Sequence, residues 1–272
     1  MKMSAGYLFT LNKLQQIGSE NREIYMNADP FPHIVIDNFF DAPVLESVLN
    51  EFPEIESDRW KSYKHQYSEK LANSSEEQLG NLTRELIYQM NSSPFLRFIE
   101  QMTGIDGLIP DPHLLGGGLH QIERGGFLKI HADFNFHNTL KLDRRINLLV
   151  YLNKDWKEEY GGHLELWDKD LKGCKKKIAP IFNRVVLFNT TDTAFHGHPE
   201  PLNCPEGRRR RSIAMYYYSN GRPEHEKSKA HSTLYKEKME KDAAIKATLG
   251  ASYFKQKAKS LFLKFKNITT QV

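Results

Sequence analysis

The chain has 272 residues, 39% of them hydrophobic and 26% charged, with a formal net charge of +4; this globular composition excludes a disordered or fibrous protein. No apolar run approaches the roughly 20 residues that cross a bilayer, and MKMSAGYLFTLNKLQQ is too interrupted for a secretory signal. Two cysteines, Cys174 and Cys204, are too few for a disulfide scaffold, so free thiols and a cytoplasmic setting are expected.

The first hundred residues read as helical apart from one short apolar strand, His33–Asp37. Asp41 is placed as an N-cap before Pro43, with Val44, Leu45, Val48, Leu49 and Phe52 at helical spacing. Ser74 with Glu77 forms a capping-box pattern ahead of Leu79, Leu82, Leu86, Ile87 and Met90. Ser93-Pro94 opens a third helix through Phe95, Phe98, Ile99 and Met102, which Gly104 closes. These helices are expected to cover a sheet.

From Leu114 the texture changes to short β-rich runs separated by Gly, Pro and Asn. They are Gly118–Ile122, Phe127–Ala132, Ile146–Leu152, His163–Trp167, Lys177–Ile181, Val185–Asn189 and Arg210–Ser219, with an extended piece around Thr193–His198. Short strands at this spacing without intervening helices predict an antiparallel sandwich or barrel. The fold expected is mostly β with flanking helices: a double-stranded β-helix, or jelly roll, covered by N-terminal helices. A helical part of about 1–110 and a jelly-roll core of about 111–221 would form one domain, 1–221, with 222–272 a basic helical C-terminal extension.

That extension carries twelve Lys and Arg against five Asp and Glu, a balance of +7 that leaves −3 on residues 1–221. Phe254, Ala258, Leu261, Phe262 and Phe265 fall on one stripe among lysines, the pattern of a basic amphipathic helix. Such a tail is either a solvated helix face or a contact for nucleic acid, an anionic membrane surface or an acidic partner.

Three features of the β-rich part carry chemistry. His131-Ala132-Asp133 ends a strand, and residues two apart on a strand share a face, so an imidazole and a carboxylate can meet at one metal ion. His196, in Ala194-Phe-His-Gly-His-Pro199, follows a second apolar strand and supplies a third donor. Two histidines and one carboxylate fill one face of an octahedral metal, which suits non-heme Fe(II) working with oxygen, whereas zinc prefers a nearly closed tetrahedron. Arg210 and Ser212, fourteen and sixteen residues beyond His196, share a strand face and form a clamp suited to a carboxylate. A dicarboxylate that chelates the metal with one end and meets this clamp with the other describes 2-oxoglutarate.

With these elements the sequence resembles the Fe(II)- and 2-oxoglutarate-dependent dioxygenases, in the branch that includes the prolyl 4-hydroxylases. The matching stretches are His131–Asp133, Arg145–Asn153, Tyr160–Asp168, Phe195–Pro199 and Arg210–Ser212, in the family's order across roughly residues 115–220. The resemblance implies a jelly roll, Fe(II) held by His131, Asp133 and His196, and 2-oxoglutarate clamped by Arg210 with help from Ser212. It further implies hydroxylation of an unactivated C–H bond, with O2 consumed, succinate and CO2 formed, and ascorbate as a candidate accessory. Asp133 favours hydroxylation over halogenation, since related halogenases replace this carboxylate with a small residue, and desaturation or ring formation stay open as outcomes.

Alternatives stay open at several positions. Tyr151, which shares a strand face with Asn147 and Leu149, either hydrogen-bonds the co-substrate or fills the core. His198 is a substitute for the distal ligand, and His137 a weaker one. Arg208 is the runner-up anchor, because His198 to Arg208 restores the family's shorter spacing. Competing functions are an inactive jelly-roll module that binds carbohydrate or metal, and a hydrolytic zinc enzyme. The substrate expected is a small molecule or peptide: a prolyl residue, an amino acid or a sugar, with the basic tail suiting an anionic one.

Overall fold

The computed structural model describes residues 6–237 and 239–241. In chain order it contains α1 (Leu11–Met26), β1 (His33–Asp37), α2 (Ala42–Asn50), β2 (Lys61–His65), β3 (Ser68–Asn73), α3 (Asn81–Met90) and α4 (Ser93–Thr103). There follow β4 (Ile109–Pro110), β5 (Gly118–Ile122), β6 (Leu128–Ala132), β7 (Phe136–His137), β8 (Leu142–Tyr151) and β9 (Leu164–Trp167). β10 (Cys174–Ile178), β11 (Arg184–Asn189), β12 (His196–His198), β13 (Arg210–Ser219) and β14 (Leu234–Tyr235) complete the described strands.

The strands form one antiparallel sheet in the order β1-β11-β8-β13-β5-β3-β6-β12-β9-β10. It folds over on itself, because Tyr151, Val186 and Phe188 from β8 and β11 pack against Leu164, Leu166 and Ile178 from β9 and β10. The alternation along β8 sorts its two faces. Ile146, Leu148, Val150 and Leu152 turn outward against the helices, packing with Leu45, Leu86, Phe95, Ile99 and Met102, while Asn147, Leu149 and Tyr151 face the barrel interior. The apolar stripes of the helices therefore cover the outer face of the sheet around β8, β11 and β13, as expected of a jelly roll.

Two stretches depart from the helical reading. Lys61–Asn73 is a β-hairpin, with β3 paired to β5. Four of the five residues of β2 are exposed, so no buried face marks it in the sequence. Residues 222–235 are not helical apart from one short turn at Glu224–Glu226. They lie against the barrel, and β14 pairs with β6, placing Leu234 opposite Ala132 and Tyr235 opposite His131. Arg222 is buried and donates to the carbonyls of Arg144 and Thr190. Asn135 donates to Ser228 Oγ and to the Lys229 carbonyl, and accepts from the His231 N–H. Residues 222–235, on the far side of the boundary expected after residue 221, thus contact the barrel through these bonds. The amphipathic stretch Phe254–Phe265 lies outside the described residues.

Smaller corrections have local causes. Ser74 and Glu77 do not cap α3; they flank or enter a single 3-10 turn, Glu76–Gln78, and α3 begins at Asn81. Its free N–H groups are met by Glu51, whose carboxylate accepts from Leu82 and Thr83 at 3.0 and 2.7 Å. The strand expected at Lys177–Ile181 sits three residues earlier, at Cys174–Ile178, where it pairs with β9. No helix among the described residues is long and apolar enough to cross a membrane.

Candidate metal centre and co-substrate pocket

β6 and β12 lie side by side with His131 opposite His196, and their rings are 4.5 Å apart. Gly197 lets the strands approach, since a Cβ there would come within 2.7 Å of the Leu128 carbonyl oxygen. Asp133, two residues beyond His131, turns back to the same point. Its Oδ1 is 3.5 Å from His131 Nε2 and its Oδ2 is 3.4 Å from His196 Nε2. All three donor atoms lie within 4.8 Å of one another.

The tautomers favour a ligand role for both rings. His131 Nδ1 lies 2.7 Å from the Lys129 carbonyl and His196 Nδ1 lies 2.9 Å from the Ala194 carbonyl. Each contact needs the proton on Nδ1, which leaves the Nε2 lone pair directed at Asp133. Burial, and then the nearby His196, lower the His131 pKa and favour the neutral ring. Burial alone would raise the Asp133 carboxyl, but Arg144, His196 and His131 outweigh it and hold the group well below the usual carboxylate range. The set therefore presents two imidazole Nε2 atoms and one anionic carboxylate.

Two residues that orient Asp133 were not singled out from sequence as its partners. Arg144 Nη2 donates to Asp133 Oδ2 at 3.0 Å and Asn147 Nδ2 donates to the same oxygen at 2.7 Å. Asn147 Oδ1 in turn accepts from Arg144 Nε and Nη2. The interior alternation of Asn147 with Tyr151 was a usable signal for Asn147; Arg144 carried none, because its side chain folds back across Tyr216.

The clamp residues sit beside this centre on strands β8 and β13. Arg210 is buried; its Nε donates to the Gly162 carbonyl at 2.7 Å and its Nη2 to Tyr151 Oη at 3.1 Å. Nη1 donates to no protein acceptor among the described residues. Gly162 has φ +70°, and a Cβ on it would lie 3.0 Å from Arg210 Cδ, so only glycine leaves the arginine this path. Ser212 is buried directly across from both Tyr151 and His120.

The remaining candidates separate. His198 is buried, outside the cluster of three donors, and neither ring nitrogen has a partner; burial and then Arg210 push its pKa well down. His120 Nε2 is likewise buried without a partner. His137 lies elsewhere, 3.8 Å from Asp111. Arg208 points outside the barrel, donating to the Lys154 carbonyl and lying over Tyr160. Lys70, on β3, was also missed. Ala72 pairs with His120, so Lys70 two residues earlier shares the interior face. Burial lowers its pKa to about 8, against the pull of Asp133.

These donors fit the groups that sequence predicts. Two imidazole nitrogens and a carboxylate match Fe(II), and the buried, unpartnered nitrogens of His120 and His198 beside Arg210, Ser212 and Lys70 match a small polar anion.

Residues 117–218 match the family model described as the 2OG-Fe(II) oxygenase superfamily. Over 203 residues the chain is 30% identical to prolyl 3-hydroxylase OGFOD1 of Mus musculus, covering 72% of this chain and 34% of that protein. The chain thus spans about a third of the length, 34%, of the curated relative it matches. Among solved structures it is similar to a prolyl hydroxylase from Trichoplax adhaerens in complex with a hypoxia inducible factor peptide fragment. The TM-score is 0.57 at 19% identity, covering 79% of this chain and 94% of that one. A prolyl-4-hydroxylase from Pseudomonas putida gives a TM-score of 0.54 at 15% identity, covering 75% and 99%. HygX from Streptomyces hygroscopicus, with nickel and 2-oxoglutarate bound, gives 0.51 at 12% identity, covering 79% and 96%. The architecture is the jelly roll of these oxygenases, and residues 117–218 form a 2OG-Fe(II) oxygenase domain. The domain is homologous to prolyl 3-hydroxylase OGFOD1.

Proposed function

We propose that the protein is an Fe(II)- and 2-oxoglutarate-dependent dioxygenase that hydroxylates a prolyl residue of a peptide substrate. The convergence of His131, Asp133 and His196 within 4.8 Å, beside a buried Arg210, carries this reading. The relative's printed name, a prolyl 3-hydroxylase, favours a prolyl residue over a free amino acid or a sugar.

In this reading His131 and His196 would hold the ion through Nε2 and Asp133 through one carboxylate oxygen. When bound, ferrous iron with 2-oxoglutarate supplies oxygen-activating redox chemistry, with succinate and CO2 as co-products. Arg144 and Asn147 hold Asp133 in place through its Oδ2. Arg210 takes the distal carboxylate of 2-oxoglutarate through Nη1, held by the Gly162 carbonyl and by Tyr151. Ser212 adds a hydroxyl hydrogen bond from the same face, and Lys70 adds a second positive charge. A module that only bound metal or carbohydrate would have no need of a cationic pocket beside the donor set.

The test is succinate formation from 2-oxoglutarate with Fe(II) and ascorbate, across peptides with and without proline, free amino acids and sugars. Stimulation by prolyl peptides alone, lost in Asp133→Ala, supports the reading. Stimulation by free amino acids or sugars and not by peptides overturns its substrate half, and turnover unchanged in Asp133→Ala overturns the metal assignment.

A further inference from the structure

Arg210 points into the barrel, and its neighbours Arg209 and Arg211 point the opposite way, as strand alternation requires. On that outer side, between the start of β13 and the end of β8, lies a cleft of about 430 Å³. Lys154, Arg208, Arg209 and Arg211 line it with one lining acid, Glu206, and Lys154 is also ion-paired with Glu46 at the rim. Two of these guanidinium groups each carry an Nε without a hydrogen-bond partner. Arg211 Nε and Arg209 Nε are buried and hydrogen-bond to nothing among the described residues. Glu123, the acid paired with Arg209, stands off at 3.9 Å. The cationic side chains that line the cleft favour an anion there.

The walls are rigid where the charges attach. Asn153 Oδ1 accepts from the Arg211 N–H at 2.6 Å, while Asn153 Nδ2 donates to the Arg211 carbonyl at 3.1 Å. Trp156 donates to the Gly161 carbonyl, which fixes the indole on the opposite wall. Guanidinium forks match the oxygens of a phosphate better than those of a monovalent ion. We propose that this cleft is a binding site for a phosphate-type oxyanion, separate from the pocket inside the barrel.

The experiment is calorimetric titration of the full chain with inorganic phosphate, pyrophosphate and AMP, at one ionic strength set with chloride. Saturable binding of pyrophosphate that weakens at least tenfold in Arg211→Gln, and also weakens in Lys154→Gln, is expected. Lys154 is 46% exposed at its side chain and ion-pairs with the equally exposed Glu46, so the second variant, made together with Glu46→Gln, tests the site without touching the strand interior. Arg210→Met should leave phosphate binding intact while losing 2-oxoglutarate, which separates this cleft from the barrel pocket. AMP binding no tighter than phosphate assigns the site to free oxyanions; binding much tighter assigns it to the phosphate of a nucleotide. Affinity unchanged in both Arg211→Gln and Lys154→Gln, or binding no stronger than that of chloride, overturns the proposal.

Discussion

Arg144 Nη2 donates to Asp133 Oδ2 at 3.0 Å while its guanidinium lies over the Tyr216 ring, with 3.5 Å between Cζ and the ring centroid. The contact fixes both the position and the ionisation of the one carboxylate in the donor set. Arg144→Met removes the charge that holds Asp133 ionised and leaves only Asn147 to orient it. Breaking a buried pair in this way costs about 3–5 kcal/mol, and loss of an orienting partner weakens metal affinity roughly 10–100-fold. Titration with Co(II), read by its visible absorption, together with urea unfolding of the metal-free protein, measures both effects. Affinity equal to that of the unaltered chain would remove Arg144 from the centre.

Arg210 is held on both sides, so its replacement should act on the co-substrate alone. Arg210→Met is expected to raise KM for 2-oxoglutarate roughly 30–100-fold, the equivalent of about 2–3 kcal/mol for a charged hydrogen-bonded contact. Gly162→Ala should do the same more weakly by displacing the arginine side chain. Steady-state kinetics with variable 2-oxoglutarate reads this. A fall in kcat at unchanged KM would mean that Arg210 acts elsewhere.

The amine of Lys70 has a pKa lowered from the ordinary lysine value to about 8, chiefly by burial. It is therefore charged below that pH and increasingly neutral above it. A dianion beside it binds more tightly at the acid end of this window, so 2-oxoglutarate affinity should fall between pH 7 and pH 9. Lys70→Met should bind more weakly at pH 7 and lose most of that dependence. Equilibrium binding to the Co(II)-loaded protein across the range checks it, and an equal slope in the variant would contradict it.

The donor triad was legible because strand alternation is a local rule: His131 and Asp133 share a face by spacing, and His196 follows a recognisable apolar strand. The outward helices and most strands were legible for the same reason. What escaped was set by contacts far apart in the chain. β2 is exposed along most of its length and has no periodic apolar face; it exists because β3 pairs with β5, some fifty residues on. β14 is two residues long and is defined by the edge of β6 that it covers. Lys70 lies on β3 of this unpredicted hairpin, so its turn into the barrel could not be read without the pairing.

The packing of residues 222–235 gives a further outcome. A chain ending at residue 221 loses Arg222 and every partner of the buried Asn135 side chain found in the C-terminal segment. It also uncovers the edge of β6 beside His131. Unsatisfied buried groups cost about 1–3 kcal/mol each, so the midpoint of thermal unfolding should fall by on the order of 10 °C. The full chain supplies the reference midpoint. Equal midpoints for the two would show that the segment contributes nothing to the barrel.

The most direct test of the central claim is an anaerobic titration of the protein with Fe(II) and 2-oxoglutarate, followed by the visible charge-transfer band of the chelate. One equivalent of iron should develop the full band, and His131→Ala and His196→Ala should each abolish it while remaining folded. A band of undiminished strength in either variant would place the iron away from these three side chains and contradict the account.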